Sequence, residues 1–147
     1  MLRLTKKADY GLMAMKHLAE HTAAEACSTK DLADEYGIPH EALAKILQRL
    51  VRAGLLFSQQ GTNGGYQLSR PASQISAFEV IRAIDGPLFV TSCVTVGGEC
   101  DQSNRCTIRE PLRRVTHSIE EVLRGIKLSD MREEDESIPA AELVSIK

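Results

Sequence analysis

Cys93, Cys100 and Cys106 fall within fourteen residues of a chain that has one other cysteine, Cys27. They lie in CVTVGGECDQSNRC, a segment padded with Gly, Asp, Ser and Asn. Thiols gathered in a polar loop are placed to bind a metal or to respond to oxidation rather than to pack in a core. Zinc sites pair cysteines closely, as in C-x2-C, and want four ligands. Here the spacings are wider, with six and five intervening residues, and three cysteines are local. Iron–sulfur clusters prefer thiolate, and Gly97-Gly98 lets the backbone bend around a bulky inorganic core. A cluster one thiolate short of four is exposed and reactive, which suits a sensor. A transient disulfide or incidental thiols in a flexible loop are the other readings of the segment.

Composition limits the setting. The chain has 147 residues, 43% apolar and 26% charged, which is ordinary for a soluble globular protein. A chain of that size buries a core without disulfide staples. No run of about 18 apolar residues is present, and the start, MLRLTKKADYGLMAM, lacks the apolar stretch of a signal peptide. The expectation is a cytoplasmic protein with no membrane partner, in which thiols stay reduced. Net charge is −2, which argues against a general polyanion binder. Residues 1–70, however, carry nine Lys/Arg against seven Asp/Glu, whereas residues 71–147 carry nine against thirteen. The first half is the mildly basic one.

The elements that must position the cysteines follow from periodicity. Residues 6–21 read as a helix, with Tyr10, Met13, Ala14 and Leu18 at helical spacing. Ser28 or Thr29 caps a short second helix, LADEY, that Gly37 ends. Pro39 opens a third, whose stripe is Leu43, Ile46, Leu47 and Leu50 and whose stop is Gly54. LLFSQ and YQLS flank the Gly-rich QGTNGG, a β-hairpin. Ser76 with Glu79 has capping-box spacing and opens a fourth helix to Ile84, broken by Asp85-Gly86-Pro87. After Cys106 a long helix runs to about Gly125, with Pro111 in its first turn and an apolar seam of Leu112, Val115, Ile119, Val122, Leu123 and Ile126. The last stretch, SDMREEDESIPAAELVSIK, is acidic and expected to be mostly disordered. The expected fold is mainly α: a winged helix-turn-helix with a small two-stranded β wing and a long C-terminal dimerisation helix. Its expected divisions are 1–86 for the winged-helix domain, 87–107 for the cysteine-rich loop, 108–128 for the dimerisation helix and 129–147 for the tail.

Two short helices joined by EYGIP and followed by a hairpin have the order of a winged helix, which favours DNA reading over a helical hairpin used only for packing or protein contact. Ala33 is small where the helices cross, and Leu32, Tyr36, Ile38, Leu43 and Ile46 fix their angle. The exposed side chains of the third helix, His40, Glu41, Ala44, Lys45 and Gln48, are the candidates for base edges. Arg49 and Arg52 are better placed for phosphate. The wing has little bulk, so its backbone can approach DNA closely; its candidates are Gln60, Asn63, Gly64, Gly65 and Tyr66. Thr29, at the start of the second helix, completes the set. Few Lys/Arg means few released counterions, so affinity calls for two copies of the motif. The long helix, whose seam has little left to bury against in so short a chain, offers the way to pair them; an intramolecular core contact is the other reading of that seam. No nucleophile–base set appears, and the Gly-rich turn does not open a helix, so neither an enzyme nor a small-molecule substrate is expected. His17 and His21 read as ordinary helix-surface histidines, and His117, about three turns beyond Cys106, as a surface or seam histidine. Cys27 reads as unligated.

LRLTKKADYGLMAM, STKDLADEYGIPHEALAKILQRLVRAGLL and GTNGGYQLSRPASQISAFEVIRAIDGP, together with the three-cysteine loop, resemble the bacterial IscR/NsrR-type iron–sulfur transcriptional regulators over about residues 1–130. The nearest branch is the regulator of the Suf assembly system. The resemblance implies a homodimer of winged-helix subunits on a promoter operator of double-stranded DNA, usually repressing. It implies one cluster per subunit, 2Fe-2S or 4Fe-4S, held by Cys93, Cys100 and Cys106. In the Isc branch a histidine three residues after the last cysteine is the fourth ligand; this chain has Arg109 there. In nitric-oxide-sensing relatives an acid from the partner subunit's first helix serves, and the matching residue is Asp9. Ala44 and Gln60 replace the Isc branch's recognition-helix glutamate and wing arginine, so the operator should differ. The alternative is a cluster-free regulator of the same fold, working through a thiol switch or a partner protein.

Overall fold

The computed structural model describes residues 4–21, 26–61, 64–88 and 107–131. Cys93, Cys100, Cys106, Asn63 and the tail from residue 132 lie outside the described residues.

Helix α1 (Lys6–Glu20) begins where the Thr5 hydroxyl accepts from the Ala8 amide at 3.1 Å. Its inner face is Ala8, Gly11, Ala14, Met15, Leu18 and Ala19. Small residues on that face let α1 lie close to its neighbours: a Cβ on Gly11 would run into the Ile84 side chain. Helix α2 (Thr29–Tyr36) is capped by Ser28, whose hydroxyl accepts from the Asp31 amide at 3.1 Å. The helix therefore starts three residues before LADEY, because the cap rather than the first leucine sets its origin. Gly37 closes it at φ 64, a left-handed position that glycine adopts without strain. Helix α3 (His40–Arg52) follows Pro39 and buries Leu43, Ile46, Leu47 and Leu50 completely.

Strands β1 (Leu56–Gln59) and β2 (Gly65–Leu68) pair antiparallel, with Leu56 opposite Leu68 and Gln59 opposite Gly65. A further backbone pairing joins β2 to the segment before α2. Tyr66 N–H donates to Cys27 O at 2.8 Å, and Cys27 N–H donates to Tyr66 O at 3.3 Å. Gly65 lies so near the Cys27 backbone that no Cβ fits there. The glycine thus allows a backbone-to-backbone contact that any other residue would block.

Helix α4 (Ala77–Asp85) carries the full capping box of Ser76 and Glu79. Arg70 adds a 2.9 Å ion pair to Glu79. Helix α5 (Arg109–Gly125) holds Pro111 in its first turn, where no intrahelical N–H is needed. Beyond α5 the chain returns to the domain. Ala77 N–H donates to Ile126 O at 2.8 Å, and Leu128 N–H donates to Ile75 O at 2.9 Å, around a Ser76–Lys127 bridge. Leu128 is fully buried and starts a 3-10 turn, Leu128–Met131, whose Met131 packs against the core. The sequence reading begins the tail at residue 129. The chain instead stays in the fold to Met131, because one buried leucine and two backbone bonds hold the turn.

One core joins α1, α2, α3, the root of β1, Ile75, α4 and Leu128. The architecture is the expected one: a mainly helical winged helix, with five α-helices and a two-stranded antiparallel sheet among the described residues.

Candidate nucleic-acid interface

Burial of Leu43, Ile46, Leu47 and Leu50 on one side of α3 fixes what the other side shows. Glu41, Lys45, Gln48 and Arg52 recur at steps of four, three and four, one exposed stripe opposite the core. His40 is exposed at the first turn, and Ala44 is half-buried at the edge of the stripe. Neither Glu41 nor Lys45 forms an ion pair among the described residues, so both keep their charges for a partner. Helix α2 packs behind α3, and Thr29 is half-buried at its first turn. Arg49 is less free than spacing implies. Its Nη1 donates to Ile84 O at 2.6 Å, closing the last turn of α4.

In the wing, Gln60 is exposed and Gly61 has φ 120. Gly64 and Gly65 are half-buried and leave no room for a Cβ, against Gln59 O and the Cys27 backbone respectively. Tyr66 packs against the core while its backbone pairs with Cys27. These three residues set the shape of the wing, and among the described residues Gln60 is the exposed candidate on it. Sequence reasoning missed the Cys27 contact because a single backbone bridge carries no side-chain pattern.

His17 also departs from the sequence reading. It is half-buried, its Nδ1 lies 2.7 Å from the Tyr36 hydroxyl, and its ring stacks on His21 at 4.0 Å. Burial, then the neighbouring His21 charge, hold its pKa below the ordinary value, while burial raises that of Tyr36. His17 is a tie between α1 and α2, not a plain surface residue; a partner nineteen positions away gives no local signal.

Two residues bear on the cysteine segment. Asp9 is exposed in the first turn of α1, where Leu4, Thr5, Lys6 and Asp9 line one surface hollow. Arg109 opens α5, and its Nε is buried without a hydrogen-bond partner among the described residues. A buried, unanswered guanidinium donor three residues after Cys106 suits an anionic neighbour. Three thiols in one segment of the sequence are the donor type that an iron–sulfur cluster takes. His117 is exposed, 3.9 Å from Glu121.

The seam of α5 is largely open. Val115, Val122 and Ile126 are 43%, 64% and 36% exposed, and Thr116 is the one buried residue of the helix. Val115, Ile119, Val122 and Leu123 line an apolar hollow edged by Arg114 and Ser118.

A recognition-type helix, its supporting helix and a glycine-shaped wing define a winged-helix DNA-binding protein. The chain belongs to the Rrf2 family, described as an iron-dependent transcriptional regulator, whose profile matches residues 4–134. Protein aau3 of Rhizobium meliloti is 32% identical over 131 residues, covering 88% of this chain and 84% of that protein. Among solved structures, CymR (YrzC), the global cysteine regulator of B. subtilis, is 30% identical with a TM-score of 0.71, over 89% of this chain and 96% of that one. T. potens IscR is 28% identical with a TM-score of 0.70, over 96% of each chain. The protein is thus a DNA-binding transcriptional regulator of a family of regulators rather than enzymes. No helix among the described residues is long and apolar enough to cross a membrane.

Proposed function

We propose that this chain is a bacterial cytoplasmic repressor whose promoter binding is governed by an iron–sulfur cluster, on the Suf-regulator branch of its family. Cys93, Cys100 and Cys106 would hold the cluster, with Asp9 of the partner subunit as the fourth donor. The carrying observation is the donor set: three thiols in one polar segment, followed at once by the unpartnered Nε of Arg109. A bound cluster, 2Fe-2S or 4Fe-4S, supplies a linkage that depends on iron supply and is lost on oxidation.

The chain's own residues translate that linkage. Residues 87–107 connect α4 to α5, so a change in that segment would act on the start of α5 at Arg109. The open seam of α5 favours a second copy, and two copies place two α3 helices for two half-sites. Lys45, Glu41 and Gln48 read bases; Gln60 and the wing backbone follow the adjacent groove. A coupling of about 1–3 kcal/mol would change operator occupancy about five- to 150-fold.

The test is iron and acid-labile sulfide in protein purified without air, with operator mobility shifts for the native chain and for Cys93→Ala, Cys100→Ala and Cys106→Ala. Bound iron and sulfide with weakened binding by the variants is the expected result. Equal operator binding by all four proteins excludes cluster control, and colourless protein with normal binding points to the thiol-switch reading.

A further inference from the structure

Among the described residues, three arginines meet at the far end of α3 with one carboxylate, Asp85, beside them. Arg49 and Arg52 come from the last turn of α3, Arg82 from the last turn of α4, and all three line one open cleft. Asp85 is the carboxylate in that lining, and both its oxygens already accept from the Thr5 hydroxyl at 2.8 Å. Among the described residues none of the three guanidiniums forms an ion pair. Arg49 is steadied by its bond to Ile84 O, and Arg82 lies 6.0 Å from the centre of the Phe78 ring. Counted over the described residues, a chain of net charge −2 carries a local excess of positive charge here. Guanidinium forks match phosphate oxygens in geometry as well as charge.

The position of the cleft identifies the phosphate. Arg52 continues the exposed stripe of Glu41, Lys45 and Gln48, and it lies about 10 Å along the helix from Lys45. The major groove is about 12 Å wide. A helix whose middle reads base edges thus has its end at the flanking backbone. We propose that Arg52 and Arg82, with Arg49 holding α4 in place, grip a phosphodiester of the operator beside the groove that α3 enters. Helix α4 is then part of the DNA interface, an element outside the helix-turn-helix and wing. The inference rests on α3 being the recognition helix.

The experiment measures affinity of the full chain for operator and for unrelated duplex across a salt series, with Arg82→Ala, Arg52→Ala, Arg82→Lys and Lys45→Ala. Arg82→Ala and Arg52→Ala should weaken both duplexes by the same factor, about three- to tenfold, and each should reduce the slope of log K against log salt by about 0.9. Arg82→Lys should keep the slope. Lys45→Ala should weaken the operator more than the unrelated duplex. An unchanged slope in Arg82→Ala overturns the proposal, and if Lys45→Ala still loses operator preference the α3 reading survives that failure. A further variant neutralises Glu133, Glu134, Asp135 and Glu136. If it and Arg82→Ala both tighten DNA binding, the cleft holds the chain's own acidic tail and the phosphodiester assignment falls.

Discussion

Helices α3 and α5 are both strongly one-sided, yet the chain treats their apolar faces in opposite ways. Helix α3 lies among α1, α2 and α4, and its leucines and isoleucine vanish from the surface. Helix α5 packs chiefly on α4 and leaves Val115, Val122 and Ile126 facing outward. Amphipathic spacing therefore specifies that a face needs cover, while the number of neighbouring elements decides whether the same chain provides it. One helix is finished by its own fold; the other is finished, in the proposed dimer, by a second copy.

Core and seam should respond differently to substitution. Leu47→Ala, in the covered helix, should cost about 2–5 kcal/mol in urea unfolding, since it opens a cavity at a fully buried site. Val122→Glu, on the open helix, should leave subunit stability within about 0.5 kcal/mol. It should instead give monomers in sedimentation and lower operator affinity about a hundredfold, near 2.7 kcal/mol, by separating the half-sites. A Val122→Glu protein that stays dimeric at micromolar concentration would remove the seam from the interface. Ser76→Ala sharpens the contrast within the covered half. Losing the cap of α4 should cost about 1 kcal/mol with no change of oligomeric state.

The smallest effect concerns His17. Its folded pKa lies below the ordinary 6.5, so the unfolded chain binds the proton first as pH falls. That contribution to stability is complete above about pH 6.5 and declines as pH falls toward the folded value. Thermal melts from roughly pH 7.5 to 5 should show a slope that His17→Gln reduces.

Sequence pattern captured what local chemistry dictates. The Ser76–Glu79 box, the Gly37 and Gly86 stops, the α3 stripe and the hairpin all follow from residues within a few positions of each other. What escaped depends on distance along the chain. Cys27 meets Tyr66, His17 meets Tyr36, and Lys127 meets Ser76 through contacts that neither periodicity nor capping encodes. The candidate interface shows the same division. Spacing places Glu41, Lys45, Gln48 and Arg52 on one stripe. It does not reveal that Arg49 is tied to Ile84, or that Arg82 from another helix joins the same cleft.

With Lys127 paired to Ser76 and Leu128 sunk in the core, the C-terminal end of α5 is fastened to the winged domain. The other end of this 17-residue helix lies about 25 Å away, at Arg109. In the proposed switch that geometry would make α5 a lever with its fulcrum beside the α4 cap: a nudge at Arg109 would arrive as torque on the domain, not as slack. The Ala77 and Leu128 amides should accordingly exchange with solvent in step, at matching rates, whatever is done to the cysteines.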